Sequence, residues 1–183
     1  KILFYFRIIM AQKHKCRFLL SRLFMRAGLS RFIVFRRNGY RLRFYPSALT
    51  AALWINPSER LEEETFLMNL VGKGDVVIDV GANIGSISLA LAQRVEVRGK
   101  IFAFEPHPRI YQYLEGNILL NGMEGIVQTH RMALGEHSGE IQFSDKSDDS
   151  NNAVVKSGED FLACASAIFK TTSAYRITGA ASV

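Results

Sequence analysis

The stretch Asp75-Val76-Val77-Ile78-Asp79-Val80-Gly81-Ala82-Asn83-Ile84-Gly85 constrains this chain more than any other. Val76–Val80 reads as an apolar run of the kind expected for a strand buried on both faces. A tight turn follows, and Ile84, Ile87, Ser88 and Leu91 then keep helical spacing. Gly81 lets a ligand approach the backbone with no side chain in the way, and Gly85 permits close packing of the first helical turn. Free amides at a helix start point toward a bound group. The pattern predicts a nucleotide-type site at the carboxyl end of a parallel strand.

The same alternation continues downstream. Lys100–Phe104 is predicted as a second strand and Val127–Ala133 as a third, with a short fourth at Glu140–Phe143. Pro108 to Asn121 is predicted as a helix with Ile110, Leu114 and Ile118 on one side, weakened by Gly116 and stopped by Gly122. Strand, helix, strand, helix, strand implies an α/β fold with a parallel sheet. Upstream, residues 1–28 read as a basic helical arm. Phe32–Arg36 and Tyr40–Tyr45 read as a hairpin turning at Arg37-Asn38-Gly39. Pro57-Ser58 opens a further helix, with Ser58 as its cap, an apolar side of Leu61, Thr65, Leu67, Met68 and Val71, and its end at Gly72. Ser144–Asn152 is a polar loop, and Phe161–Val183 has no clear period. The expected organisation is an arm and hairpin over 1–58, a core over 59–144, and a loop and atypical tail over 145–183.

Charge is unevenly placed. No Asp or Glu precedes Glu59, while 12 of the 23 Lys and Arg residues do. Such asymmetry suits an anionic partner, nucleic acid or lipid headgroups, and equally a solvated helix. Ile2–Met10 is apolar but too short to span a bilayer, which takes ~20 residues, and it lacks the cleavage site of a signal peptide. Leu19, Leu20, Leu23 and Phe24, ringed by Arg17, Arg22 and Arg26, can lie on a membrane surface or pack on the domain; packing is favoured. Cys16 and Cys164 stand alone, and His14, His107, His130 and His137 are scattered as surface or loop residues, so no metal site is expected. The expected location is the cytoplasm, with membrane association through the arm left open.

Asp79 separates the nucleotide classes. A carboxylate there repels a pyrophosphate but attracts the ammonium of an amino acid, and the spacing is G-x-x-x-G, not G-x-G-x-x-G. Glu105, in Phe104-Glu105-Pro106, follows Gly85 at about the 20-residue interval where an acidic side chain meets ribose hydroxyls. Together they favour S-adenosylmethionine as cofactor. Asp79 through Gly85, then Phe104-Glu105-Pro106, Leu114 with Asn117 and Asn121, and Ala133-Leu134-Gly135 resemble the FkbM family of S-adenosylmethionine-dependent methyltransferases. Tyr45-Pro46-Ser47 and the helix carrying Glu62–Glu64 also fit.

That resemblance implies a Rossmann-like class I methyltransferase sheet over roughly residues 40–144. It implies that Gly81 to Gly85, Ala82 and Asn83 included, hold the methionine part of the cofactor and Glu105 its ribose; Asp79, read above as the partner of the ammonium, completes the expected cofactor-binding set. Asn117 and Asn121 can serve either the site or the closure of the second helix. The family implies O-methylation of a sugar or small-molecule hydroxyl. Its later Lys-x-Asp-x-Glu-Gly type motif is missing after Phe143, so the sheet is expected to be incomplete and the chain truncated, and no catalytic base can be named. Two alternatives stay open. One is an RNA methyltransferase, for which Phe32, Phe35 and Tyr40 are candidate stacking groups, although nucleic acid is the less favoured partner. The other is a non-catalytic remnant.

Overall fold

The computed structural model describes residues 10 and 13–134, together with the backbone of three short strands at 142–143, 154–155 and 167–171. Helix α1 (Lys15–Arg26) leads through a single 3-10 turn (Ser30–Phe32) to a hairpin of β1 (Val34–Arg37) and β2 (Tyr40–Arg43). Helices α2 (Ala48–Ile55) and α3 (Leu61–Leu70) follow, then β3 (Val76–Val80), α4 (Ser86–Val95), β4 (Lys100–Phe104), α5 (Pro108–Asn121) and β5 (Val127–His130). The later strands are β6 (Gln142–Phe143), β7 (Val154–Val155) and β8 (Ala167–Thr171). The expected Ile2–Met10 run (Met10 aside), Gly135, His137, the Ser144–Asn152 loop and Cys164 lie outside the described residues.

The main sheet has the order β5-β4-β3-β8. β3, β4 and β5 are parallel, pairing Asp79 with Ala103 and Phe104 with His130. This is the Rossmann-like α/β arrangement expected, with three departures. The third strand stops at His130, short of Ala133. The short fourth strand is not part of the main sheet, because Gln142–Phe143 pairs antiparallel with Val154–Val155. The tail read as patternless supplies β8, which pairs antiparallel along the whole of β3.

The sheet buries one face more deeply than the other. Val77, Ile101, Ala103 and Val127 share one apolar cluster with Leu89, Leu91, Ile110, Leu114 and Ile118 of α4 and α5. On the opposite face Val76, Ile78 and Phe102 are half-buried, so equal burial of both faces does not hold. At about 25 cal/mol per Å2, the residues of the clustered face supply the larger share of the apolar driving force.

The hairpin is fastened to α5 by asparagines. Asn117 accepts from the Arg43 amide (2.9 Å) and donates to the Ile84 carbonyl (2.8 Å). Asn121 accepts from the Arg41 amide and donates to the Arg41 carbonyl, each at 2.8 Å. These side chains take up part of the outer edge of β2, which would otherwise be left unpaired. Gly116 has a packing reason: a Cβ there would run into the Tyr45 hydroxyl, whose ring stacks on Tyr113 at 4.3 Å. The glycine read as a weakness in α5 is what lets Tyr45 lie on the helix.

Other expectations shift in detail. Helix α2 was not anticipated, although Ser47 caps it by accepting from the Thr50 amide at 3.1 Å, a common helix-start signal. Helix α3 begins at Leu61, not behind Ser58, and Arg60 precedes it at φ +56°. Its one buried residue is Glu64, while Leu61 and Thr65 are exposed. On α1, Phe24 packs edge-on against Trp54 at 6.0 Å. Leu19, Leu20 and Leu23 stay exposed instead of packing on the domain. No helix among the described residues is long and apolar enough to cross a membrane.

Asn117→Ala is expected to leave the Arg43 amide and the Ile84 carbonyl without their partner. A loss of about 1–3 kcal/mol should appear in urea unfolding.

Candidate functional site

The turn after β3 depends on the end of β4. The amides of Gly81 and Ala82 both donate to the Phe104 carbonyl at 2.9 Å. The Asn83 amide donates to Glu105 Oε2 at 3.0 Å, and Glu105 Oε1 accepts from the His107 amide at 2.8 Å. Gly81, Asn83 and Gly85 all adopt positive φ, at +78°, +50° and +86°. Asn83 tolerates this because its own Oδ1 accepts from the Ile84 amide at 2.8 Å. A Cβ on Gly85 would meet Leu114 Cδ1 at 2.7 Å, so this glycine is where the turn packs against α5. The Gly85 amide donates to the Ala82 carbonyl. The amides from Gly81 to Gly85 are all used within the protein.

Asp79 lies at the end of β3, 2% exposed. Its Oδ2 accepts from Ser88 Oγ of α4 at 2.5 Å. Burial pushes its carboxyl up to about 6; the Ser88 hydrogen bond and the Arg60 charge act in the opposite direction. Asp79, Gly81 and Ala82 line a cleft of about 430 Å3 with Arg60, Glu63, Phe66, Leu67, Leu70, Ser86 and Ile87. Arg60 grips Glu63 in two bonds, Nε to Oε2 at 2.6 Å and Nη2 to Oε1 at 3.0 Å.

The expected site residues thus divide. Asp79, Gly81 and Ala82 share the cleft wall, while Asn83, Gly85 and Glu105 form the frame behind the turn. Arg60 and Glu63 were missed. The run Glu62-Glu63-Glu64 carries three similar side chains, and helix phase alone does not say which one turns inward. His107, read as a surface residue, is buried and caps α5, with Nδ1 accepting from the Ile110 amide at 3.5 Å. His130 stacks on Phe104 at 4.8 Å. No cluster of metal ligands occurs among the described residues.

The donor set fits S-adenosylmethionine. Asp79 offers a buried carboxylate hydrogen-bonded to a neutral hydroxyl, and a cationic ammonium would supply the missing countercharge. Arg60 offers a cation for a carboxylate, and Phe66, Leu67 and Ile87 give an apolar wall.

A parallel sheet with this turn at its carboxyl edge belongs to the Rossmann-like, S-adenosylmethionine-dependent methyltransferases. The family profile described as the TRM5/TYW2 methyltransferase domain matches residues 33–175, and the chain belongs to that family. It is 33% identical over 95 residues to the tRNA (guanine(37)-N(1))-methyltransferase Trm5b of Pyrococcus abyssi, covering 51% of this chain and 26% of that protein. It is 28% identical over 114 residues to tRNA (guanine(37)-N(1))-methyltransferase 1 of Vitis vinifera, covering 61% and 18%. Among solved structures, Methanocaldococcus jannaschii Trm5 in complex with adenosine is 27% identical, with a TM-score of 0.44 over 57% of this chain and 31% of that one. The chain therefore spans about a quarter or less of the length of these curated relatives.

These findings overturn the FkbM resemblance. The expected sugar or small-molecule hydroxyl acceptor falls with it, as does the low rank given to nucleic acid, because the relatives are named for tRNA. The family match also runs through the segment read as an atypical tail.

Asp79 gives a stability prediction with a definite sign. Its folded value lies above the ordinary 3.8, so the protonated form favours folding. That contribution is full below about pH 4 and is lost as pH rises through about 6. Asp79→Asn can keep the Ser88 hydrogen bond and carries no charge. It is expected to exceed the wild type in stability by about 2–3 kcal/mol at pH 8 and to converge with it near pH 4, measured by urea unfolding.

Proposed function

We propose that this chain forms the cofactor-binding part of a tRNA methyltransferase that places a methyl group on N1 of a guanine base. The observation that carries the reading is Asp79, a buried carboxylate with an uncharged partner at the wall of an open cleft, within a chain of the TRM5/TYW2 family. The base and position come from the printed names of the two relatives.

When bound, S-adenosylmethionine supplies a methyl group already activated by its sulfonium, so alignment contributes much of the rate. Asp79 binds the cationic amino end, and Arg60 the carboxylate. Glu105 accepts from the ribose hydroxyls with its carboxylate, which stands beside the turn at the end of β4. Of the two carboxylates lining the cleft, Glu63 is the one open to solvent, at 45% side-chain exposure. It takes up the proton that leaves guanine N1 as the new N–C bond forms. Phe66, Leu67 and Ile87 exclude water from that side.

RNA contact draws on the exposed cations of the first 58 residues. Among the arginines there, Arg37 is buried, and Arg17, Arg37, Arg41 and Arg43 are already committed to carbonyls or carboxylates of the protein. Arg22, Arg26, Arg31 and Arg36 are exposed. Of the three candidate stacking aromatics, Tyr40 is core and Phe35 packs against it, leaving Phe32 (68% exposed) with the Arg31 guanidinium 4.9 Å over its ring.

Calorimetric titration with S-adenosylmethionine at pH 8 is expected to give saturable binding that Asp79→Asn and Gly81→Val each reduce by about tenfold or more. Transfer of labelled methyl to a tRNA transcript, lost when the target guanosine is replaced, supports the acceptor. Transfer to a hydroxyl acceptor instead, or unchanged binding by both variants, overturns the proposal.

A further inference from the structure

Arg37 makes three separate connections from inside the protein. Its Nε donates to Glu64 Oε1 at 2.8 Å, its Nη1 to the Pro57 carbonyl at 2.9 Å, and its Nη2 to the Glu59 carbonyl. Glu64 is 0% exposed, and it also accepts from Tyr40 Oη at 2.9 Å and Asn38 Nδ2 at 3.3 Å. A bond between hairpin and helix needs only the Arg37–Glu64 contact. The two remaining nitrogens each donate to the backbone of the turn at 57–60, which ends in Arg60 at φ +56°. That left-handed conformation is uncommon for a long side chain and persists where its surroundings over-determine it. Arg60 in turn grips Glu63, and both line the cleft with Asp79.

We infer that Arg37, locked by Glu64, is a positioning residue for the cofactor cleft: it fixes the 57–60 turn so that Arg60 and Glu63 face Asp79. This rests on the proposal that the cleft takes S-adenosylmethionine. The chain of contacts is continuous, from the hairpin through a guanidinium fork to two carbonyls, and from there to the cleft lip. A planar fork suits this task, because its donors point in fixed directions where a lysine has a single ammonium. The charged groups facing Asp79 are Arg60, which precedes α3, and Glu63 of α3, while α4 presents the neutral Ser88. Moving Arg60 away therefore removes the cation that favours the ionised, ligand-binding form of Asp79.

The test is calorimetric titration of S-adenosylmethionine into the full chain from pH 5 to 8, with thermal unfolding of the same samples. Arg37→Lys is expected to weaken binding by about tenfold at pH 8 and to raise the pH at which affinity falls away. Leu53→Val, in the buried core on α2, serves as a stability control. It is expected to lower the unfolding midpoint but to change affinity by less than about twofold. Should Arg37→Lys fail to fold, Glu64→Gln keeps the shape and the acceptor and is expected to weaken binding by about threefold with the same pH shift. Affinity unchanged in the folded clamp variant, or falling equally in Leu53→Val, overturns the inference while wild-type binding upholds the cleft. Absence of binding in the wild type overturns both.

Discussion

The hydrogen bonds from the turn after β3 to the end of β4 set the rest of this structure. One carbonyl, that of Phe104, takes two amides, and one carboxylate, that of Glu105, takes a third. Three consecutive N–H groups would otherwise be left unpaired in a tight, largely buried turn, each at a cost comparable to a lost hydrogen bond. With the turn held, Gly85 sits against Leu114, and Asn117 reaches the Ile84 carbonyl and the hairpin behind it. The cleft wall is thus continuous with the most deeply buried part of the protein.

Against that rigid frame the cleft keeps an unfavourable feature. A carboxylate 2% exposed and paired with a hydroxyl is less stable than a neutral residue of the same shape. Such a group persists where its charge is needed for binding, the usual trade between stability and function. The contrast with Glu64 is instructive. That carboxylate is buried still more completely, yet it meets a guanidinium, a phenol and an amide. One buried acid meets a cation and two neutral donors; the other is hydrogen-bonded to a neutral hydroxyl.

Much of the frame was legible because it rests on local patterns. The apolar runs at β3 and β4 and the turn glycines fix strand, turn and helix within a few residues. What escaped was long-range. Gly116 looked like a helix defect because its reason, Tyr45, lies 71 residues away in sequence on another element. Whether Glu63 or Glu64 turns inward depends on Arg37 of the hairpin, and β8 pairs with β3 from almost 90 residues beyond it. The basic arm was the feature that kept the RNA alternative open, but charge counted along the chain does not distinguish arginines spent on carbonyls from those left to solvent. The FkbM resemblance failed for a related reason. The motif from Asp79 to Gly85 with Glu105 is a strand–turn–helix pattern of the fold, and such a pattern says little about the acceptor.

The central claim is that Asp79 is the countercharge awaiting a cationic ligand. NMR titration of its side-chain carboxyl, with and without S-adenosylmethionine, addresses that directly. The free protein should titrate near 6, and saturation with the ligand should pull the midpoint down toward or below the ordinary carboxylate range. A midpoint that stays where it was, or rises, when ligand binds would mean that the cation sits elsewhere and that Asp79 serves the fold alone.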